Sequence, residues 1–171
     1  LIALLLGIGG MDTLKLSQSN DRVRSYFGVY TVRERPEDRT ITLSHGTTLH
    51  GTQLTGSPGR HRITTSYYGP TSGVGLAFGA APALYGGDAS LGVVGLGTGT
   101  LACYRQPGQS WQFFEIDPAM LRLARDDGRF RFIPECGAGV PVQIGDARIE
   151  LARTPADSFD LLAIDAFSSD A

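Results

Sequence analysis

The second half of the chain alternates between short apolar runs and segments with helical spacing. Four short runs rich in apolar residues predict β-strands at residues 91–95, 111–116, 140–144 and 159–164, of which the first is expected to be buried and the last to lie at the exposed edge of the sheet. Three segments between them predict helices at residues 98–106, 118–126 and 147–153. Strands that alternate with helices at this spacing form a parallel sheet with crossover connections. This half is therefore predicted to have an α/β fold, with no prediction for the irregular stretch 130–139.

The first half of the chain predicts antiparallel strands instead. Residues 24–35 have strand composition, a turn follows at Pro36-Glu37-Asp38, and a second strand is predicted at 39–44. A further turn and a third short strand follow in 45–53. Because about three strands are too few for independent stability, we expect this unit to pack on the parallel sheet. A helix is predicted over 72–83, although its glycines weaken it.

These patterns divide the chain into three predicted regions. Residues 1–20 are a linker or the end of a membrane segment, 21–68 form the antiparallel unit, and 69–171 form the α/β domain. The first residue is Leu and the sheet stops after four strands, so we expect an excerpt of a longer protein. Leu1–Ile8 is apolar but shorter than the roughly 20 residues that span a bilayer. Two interpretations stay open: the tail of a transmembrane helix with a cytoplasmic basic flank, or a short buried segment or signal-peptide remnant.

Composition and charge narrow the function classes. The 171 residues include 42% hydrophobic residues, enough for the core of one domain with a small appendage. The net charge is −2 without a run of Lys or Arg, which argues against a nucleic-acid partner. Cys103 and Cys136 lack the spacing of a metal motif, so we expect no metal site and reduced thiols in a reducing compartment.

A glycine turn follows the first strand of the predicted parallel sheet. Gly95, Gly97 and Gly99 form a G-x-G-x-G pattern. Glycines let a backbone approach a ligand closely, and the N–H groups of a helix N-terminus favour electron-rich ligand atoms. The third glycine comes one residue earlier than in the dinucleotide fingerprint, which favours an adenosyl ligand without a pyrophosphate. We therefore predict ligand contacts at Gly95, Gly97, Thr98 and Gly99, while a purely structural strand-to-helix corner stays the alternative.

Acidic residues follow the other three predicted strands. Glu115 lies 20 residues after the first glycine of the turn, the spacing at which a carboxylate meets ribose hydroxyls. Asp146 is predicted to accept a hydrogen bond from an adenine amino group. Asp165 is predicted to face the reacting end of the ligand, with Asp170 close behind it. Capping of the next helix is the alternative role for Asp146 and for Asp117.

Together these pieces resemble the spermidine synthase family of polyamine aminopropyltransferases, especially bacterial forms fused to a membrane segment. The similar pieces are Ser25-Tyr26-Phe27, Gly95 to Gly99, Phe113-Phe114-Glu115-Ile116-Asp117, Gly145-Asp146-Ala147 and the loop from Asp165 to Asp170. The resemblance runs from about residue 24 to residue 171 and includes N-terminal strands that ordinary methyltransferases lack.

The resemblance implies a fold, a reaction and a location. The implied fold is a Rossmann-like parallel sheet of the S-adenosylmethionine-dependent methyltransferase type, truncated after strand four, with a small N-terminal antiparallel β unit. The implied donor is decarboxylated S-adenosylmethionine, and the acceptor is a polyamine such as putrescine, with no metal. The implied location is the cytoplasm or the cytoplasmic face of the inner membrane, reached through an N-terminal tether, and the implied assembly is a homodimer.

The resemblance also implies roles for residues around the donor. Glu115 would hold the ribose, and Asp146 with Ala147 would hold the adenine. Gln53 and Tyr67 would contact the donor from the N-terminal side.

The implied catalytic residues are Asp165 and Asp170. Asp165 would orient or deprotonate the attacking amine, since displacement at a carbon next to a sulfonium mainly requires alignment and an unprotonated nucleophile. His45 and His50 either contact the same site or are ordinary strand and turn residues.

The chain departs from the family pattern at three places. Thr98 stands where the family usually has an Asp that binds the aminopropyl ammonium, and Phe27 stands where it has a Gln. The segment between Asp165 and Asp170 is longer than the usual Asp-Ser-Ser-Asp. The change at residue 98 leaves open an S-adenosylmethionine-dependent methyltransferase. The apolar stretch Leu1 to Gly10 leaves open a non-catalytic nucleoside- or polyamine-sensing domain of a membrane protein.

Overall fold

The computed structural model describes residues 10–11, 14–15 and 21–166. The apolar run Leu1–Ile8 and the predicted catalytic residue Asp170 lie outside these ranges. Within the described ranges, no helix is both long enough and apolar enough to cross a membrane.

An antiparallel sheet forms the N-terminal part of the described chain. Its strands are β1 (Arg22–Ser25), β2 (Gly28–Arg35), β3 (Thr40–His45) and β4 (Thr48–Leu54), paired in that order. The single strand predicted at 24–35 is split in two, because the chain reverses at Tyr26-Phe27. Gly28 makes this reversal with a φ of +145°, a conformation that residues with a side chain rarely adopt. The unit therefore has four strands rather than about three.

The helix predicted over 72–83 is present as α1 (Gly73–Tyr85). Two short 3₁₀ turns, Pro58–Arg62 and Ser66–Tyr68, connect β4 to it. Its first turn is capped by the Ser72 hydroxyl, which accepts a hydrogen bond from the Gly75 N–H at 3.1 Å. Capping and burial therefore outweigh the low helix propensity of its glycines.

The predicted parallel sheet is confirmed. Its strands are β5 (Ser90–Val94), β6 (Ser110–Glu115), β7 (Val142–Ile144) and β8 (Leu161–Ile164). Their order across the sheet is β7-β6-β5-β8, and every neighbouring pair is parallel. Because β6 and β8 flank β5, the order of strands reverses direction at the carboxyl end of β5. Such a reversal opens a crevice above a parallel sheet.

The connections between these strands differ in how well the pattern predicted them. Helices over 118–126 and 147–153 are present as α2 (Pro118–Leu121) with a π-helical turn (Arg122–Asp126), and as α4 (Ala147–Arg153). The irregular stretch contains the short helix α3 (Phe132–Cys136). The helix predicted over 98–106 is only a 3₁₀ turn, Thr100–Tyr104, because Pro107-Gly108 stops it after one turn.

The two cysteines form a disulfide, so the prediction of reduced thiols was wrong. Cys103 lies in the 3₁₀ turn after β5 and Cys136 ends α3, with 4.8 Å between their Cα atoms. The two positions are 33 residues apart in sequence and meet only because α3 packs against that turn. Motif spacing along the chain carries no signal for such a contact.

One hydrophobic core joins both sheets. The antiparallel sheet contributes Tyr30, Val32, Ile41 and Leu43. The parallel sheet contributes Leu91, Val93, Trp111 and Phe113. Phe78 of α1 stacks on Trp111, with 4.9 Å between the ring centroids. The antiparallel sheet therefore packs on the parallel one, as its small size led us to expect.

Candidate functional site

A cavity of about 580 Å³ lies between the two sheets. Its walls are formed by the carboxyl ends of the parallel strands and by one side of the antiparallel sheet. The described residues that line it are Phe27, Tyr30, His45, His50, Tyr68, Val94, Gly95, Gly97, Phe114, Glu115, Ile116, Met120, Gly145, Asp146, Ala147, Arg148, Leu151, Ile164, Asp165 and Ala166. A volume of this size and a mixed apolar and charged lining are typical of small-molecule sites.

Two glycines of the turn after β5 line the cavity, but the protein's own backbone explains why they are glycines. Gly95 has a φ of +91°, and a Cβ atom there would lie 2.3 Å from the carbonyl oxygen of Asp165. Gly97 has a φ of +52°, and its Cβ atom would lie 2.8 Å from the carbonyl oxygen of His50. The turn thus fits closely against β8 and β4 while its exposed side faces the cavity.

The structure places Thr98 and Gly99 behind the cavity wall. Thr98 is fully buried, and its hydroxyl lies 2.9 Å from the hydroxyl of Thr100. A Cβ atom at Gly51 would lie 2.2 Å from the Thr98 Oγ1 atom, so β4 packs directly on this side chain. Gly99 faces Ile133 of α3, and a Cβ atom at Gly99 would lie 2.5 Å from the Cγ1 atom of Ile133. Neither residue is among those that line the cavity.

Glu115 is fixed at the cavity wall by two backbone groups. Its Oε2 atom accepts a hydrogen bond from the Leu96 N–H, and its Oε1 atom accepts one from the Asp117 N–H, both at 2.9 Å. Burial raises the pKa of the Glu115 carboxyl, and these backbone hydrogen bonds oppose the rise. A carboxylate oxygen can accept more than one hydrogen bond, so a ligand hydroxyl could still bind to Glu115. The carboxylate is therefore preoriented beside the glycine turn.

Asp146 caps the next helix and also lines the cavity, while its predicted contact with adenine stays a prediction. Its Oδ1 atom caps α4 by accepting a hydrogen bond from the Arg148 N–H at 2.9 Å, and the residue also lines the cavity together with Ala147. The Arg148 guanidinium, 3.4 Å from the other oxygen, lowers the pKa of this carboxyl. An ionised acceptor therefore stands at this corner of the cavity.

Asp117 has a structural role beneath the cavity. It caps α2 by accepting a hydrogen bond from the Ala119 N–H at 2.8 Å. Its other oxygen accepts hydrogen bonds from the Tyr30 hydroxyl at 2.7 Å and from the Ser25 hydroxyl. This buried carboxylate therefore joins the antiparallel sheet to the end of β6.

Asp165 and Tyr68 form a hydrogen-bonded pair in the cavity. The Tyr68 hydroxyl donates to the Oδ2 atom of Asp165, whose backbone N–H is held by the Val94 carbonyl at 2.8 Å. Burial raises the pKa of the Asp165 carboxyl, while the Tyr68 hydrogen bond lowers it. Burial and the nearby carboxylate raise the pKa of Tyr68, so this phenol remains a hydrogen-bond donor. The pair can hold a proton or a cationic nitrogen near the glycine turn.

The structure places Gln53 and Tyr67, the two predicted N-terminal contacts, outside the cavity wall. Gln53 is fully buried, donates to the His61 carbonyl at 2.9 Å and accepts from the Arg131 N–H at 2.9 Å. It thereby links β4 to the segment before α3. The Tyr67 hydroxyl donates to the Leu49 carbonyl at 3.1 Å, and its ring packs on Tyr68. Tyr67 thus supports the residue that does face the cavity.

Three rings of the antiparallel sheet line the cavity. We call Tyr30, His45 and His50 the ring wall. The centroid of Tyr30 lies 5.4 Å from that of His45 and 6.4 Å from that of His50, and the two imidazoles stack at 6.0 Å. The sequence left the two histidines between site residues and ordinary strand residues. The structure brings both to the site.

A β-bulge explains why the sequence pattern did not identify His50. Leu43 pairs with Gly51 and Ser44 pairs with Leu49, so His50 is an extra residue in β4. An extra residue shifts the alternation of the strand and redirects a side chain. Strict alternation cannot locate such a position.

Within the described ranges, no group of three His, Cys, Asp or Glu side chains is arranged to hold a metal ion. In the comparisons with known proteins, no family model matches the chain and no curated protein matches it at a significant level. The resemblance to aminopropyltransferases therefore depends on the sequence motifs alone.

Proposed function

We propose that this protein is an aminopropyltransferase of the spermidine synthase type, which transfers an aminopropyl group from decarboxylated S-adenosylmethionine to a polyamine. The observation that carries the proposal is that a single cavity contains Glu115 at the end of β6 and the Asp165–Tyr68 pair at the end of β8. A ribose-binding carboxylate and an amine-binding carboxylate are the two groups that this reaction needs on either side of a sulfonium.

The strand order supports the donor half of the proposal. The order β7-β6-β5-β8 is that of the first four strands of a Rossmann-like sheet, which binds nucleosides where the order reverses. Gly95 and Gly97 stand at that reversal, and Glu115 stands beside it. In this proposal Glu115 accepts from the ribose hydroxyls and Asp146 accepts from the adenine amino group.

The Asp165–Tyr68 pair supports the acceptor half. The amine nitrogen attacks the carbon next to the sulfonium, the carbon–sulfur bond breaks toward sulfur, and the nitrogen loses a proton. Asp165 holds the attacking nitrogen through its carboxylate, whose raised pKa makes it a better proton acceptor than an ordinary aspartate. Tyr68 fixes the carboxylate in place by its hydrogen bond. Alignment of nucleophile and leaving group supplies most of the acceleration.

One observation favours a second candidate, an S-adenosylmethionine-dependent methyltransferase on the same sheet. Thr98 replaces the acidic residue that would select an aminopropyl ammonium, and its side chain is buried against Gly51. No acidic side chain at residue 98 therefore binds an aminopropyl ammonium, so this position does not exclude S-adenosylmethionine as the donor. Selection of the donor falls to other residues of the cavity.

A product assay tests the proposal directly. The protein is incubated with putrescine and either decarboxylated or intact S-adenosylmethionine, and products are followed by mass spectrometry. We expect an aminopropylated polyamine from the decarboxylated donor. A methylated product would establish the second candidate instead, and the absence of either product would refute both.

An Asp165→Asn variant tests whether the Asp165 carboxylate takes part in the transfer reaction. Loss of the carboxylate should lower transfer by about a hundredfold or more while binding of 5′-methylthioadenosine is kept. Asp157→Asn is the matched control, because Asp157 is an exposed carboxylate in the loop before β8 and does not line the cavity. Unchanged turnover in Asp165→Asn would remove Asp165 from the mechanism.

A further inference from the structure

We propose that the ring wall of Tyr30, His45 and His50 binds the sulfonium centre of an adenosyl ligand through its aromatic faces. This inference rests on the proposed function, because both substrates of that reaction are cations. It also goes further, since it assigns cation selection to the antiparallel sheet rather than to a carboxylate in the glycine turn.

The first argument is the composition of this side of the cavity. In the part of the chain that the structure describes, the antiparallel sheet and its first turn contribute Phe27, Tyr30, His45 and His50 to the cavity, and none of these is acidic. The carboxylates of Glu115 and Asp165 face them from the parallel sheet. A cation between the two sides would have carboxylates on one side and aromatic rings on the other.

The second argument is that the rings are held in place. The Tyr30 hydroxyl donates to Asp117, which fixes the phenol and leaves its ring electron-rich. His45 lies directly on Gly28, where a Cβ atom would come within 1.9 Å of its Nε2 atom. His50 is the bulged residue of β4, a position that redirects its side chain. The backbone is therefore adapted to these rings at two of the three positions.

The third argument concerns charge. Burial lowers the pKa of His50, and the neighbouring His45 lowers it further, so the imidazole is neutral at physiological pH. The Nε2 atom of His50 is buried without a hydrogen-bond partner among the described residues, so no carboxylate holds it in a charged form. A neutral ring attracts a cation through its face, whereas an imidazolium would repel it.

The test uses two probes that differ only in the methyl group on sulfur and in the positive charge that this group creates. S-adenosylmethionine and S-adenosylhomocysteine share the adenosine and the amino-acid tail, and only the first has a cationic sulfur. Their dissociation constants are measured by calorimetry on the wild type and on two variants. We expect the wild type to prefer the sulfonium by about five- to thirtyfold, the range of a desolvated cation–π contact. His50→Leu should abolish most of this preference, and His50→Phe should keep it because Phe keeps a ring.

The neutral probe is the control for folding. The dissociation constant of S-adenosylhomocysteine should change little in His50→Leu and in His50→Phe. If His50→Leu does not fold, His45→Leu is measured in its place. The inference is overturned if the wild type binds S-adenosylmethionine no more tightly than S-adenosylhomocysteine. It is also overturned if the His50→Leu variant keeps the wild-type preference for S-adenosylmethionine, or if the His50→Leu and His50→Phe variants lose that preference equally. A wild type that prefers the sulfonium but transfers no aminopropyl group refutes only the proposed function. One that transfers the group without this preference refutes only the inference.

Discussion

Reduction of the Cys103–Cys136 disulfide should lower the melting temperature of this protein by about 10 °C. The bond closes a loop with a sequence separation of 33 residues. The loop-entropy relation gives about 3.7 kcal/mol of stabilisation for a loop of that length. In a chain of 171 residues each kcal/mol corresponds to about 2–4 °C, which leads to the stated shift.

Reduction should also weaken the binding of adenosyl ligands. The disulfide fastens α3 to the turn that follows the glycines, and Ile133 of α3 fills the space under Gly99. Once the bond is open, side-chain packing and non-covalent contacts hold α3 in place, among them the hydrogen bond from the Arg131 N–H to Gln53 and the contact between His61 and Glu135. The glycine turn should then sample more conformations and bind its ligand less tightly.

The assay is thermal unfolding followed by circular dichroism, with and without a dithiol reductant, while thiol titration verifies that two cysteines have become free. The Cys103→Ser/Cys136→Ser double variant is the control. Its melting temperature should be close to that of the reduced wild type and should not change when the reductant is added. If fully reduced wild type melts within about 2 °C of the oxidised protein, the bond does not constrain the unfolded chain in the way argued.

Two further substitutions probe the cavity. Tyr68→Phe should lower kcat/KM for transfer by about tenfold, the lower end for a charged hydrogen bond because the Asp165 carboxylate is partly exposed. The hydrogen bond from Tyr68 lowers the pKa of Asp165, and the carboxylate is active when it is ionised. The acid limb of the pH–rate profile should therefore move to higher pH in Tyr68→Phe. An acid limb at the wild-type pH would contradict this role of Tyr68. Gly97→Ala should destabilise the protein by about 1–3 kcal/mol in denaturant titrations, because its φ is +52° and its Cβ would strike the His50 carbonyl. Gly59→Ala, with no atom within 4 Å of its Cβ, should change stability little, and equal effects at both glycines would refute the steric argument.

The parallel half of the fold was predictable because each strand is a nearly continuous apolar run. Buried parallel strands have this pattern, which β5 shows most fully, whereas the outer strands β7 and β8 are only partly buried. The antiparallel half was predicted less well. Tyr26 and Phe27 are both residues that favour strands, so the sequence predicts one continuous strand where the structure has a reversal between β1 and β2.

The acidic residues of the site were predictable from topology alone. Glu115, Asp146 and Asp165 follow successive parallel strands, and the carboxyl ends of such strands meet at one edge of the sheet, where all three line the cavity. Residues from the antiparallel sheet were not predictable in this way. Which side of β4 faces the cavity depends on the bulge at His50, so Gln53 points into the core instead of toward the ligand.

The pairing of the strands also has a consequence for the order in which the protein folds. Strands β1 to β4 pair with their immediate neighbours in sequence, so their contacts are local and form quickly. β5 pairs with β8, and Leu91 lies opposite Leu161, so the parallel sheet waits for a distant segment. During synthesis, all four strands of the antiparallel sheet therefore leave the ribosome before β8, the strand that precedes Asp165. The antiparallel side of the cavity is therefore the first whose strands can pair, and the shared core closes when β8 joins the parallel sheet.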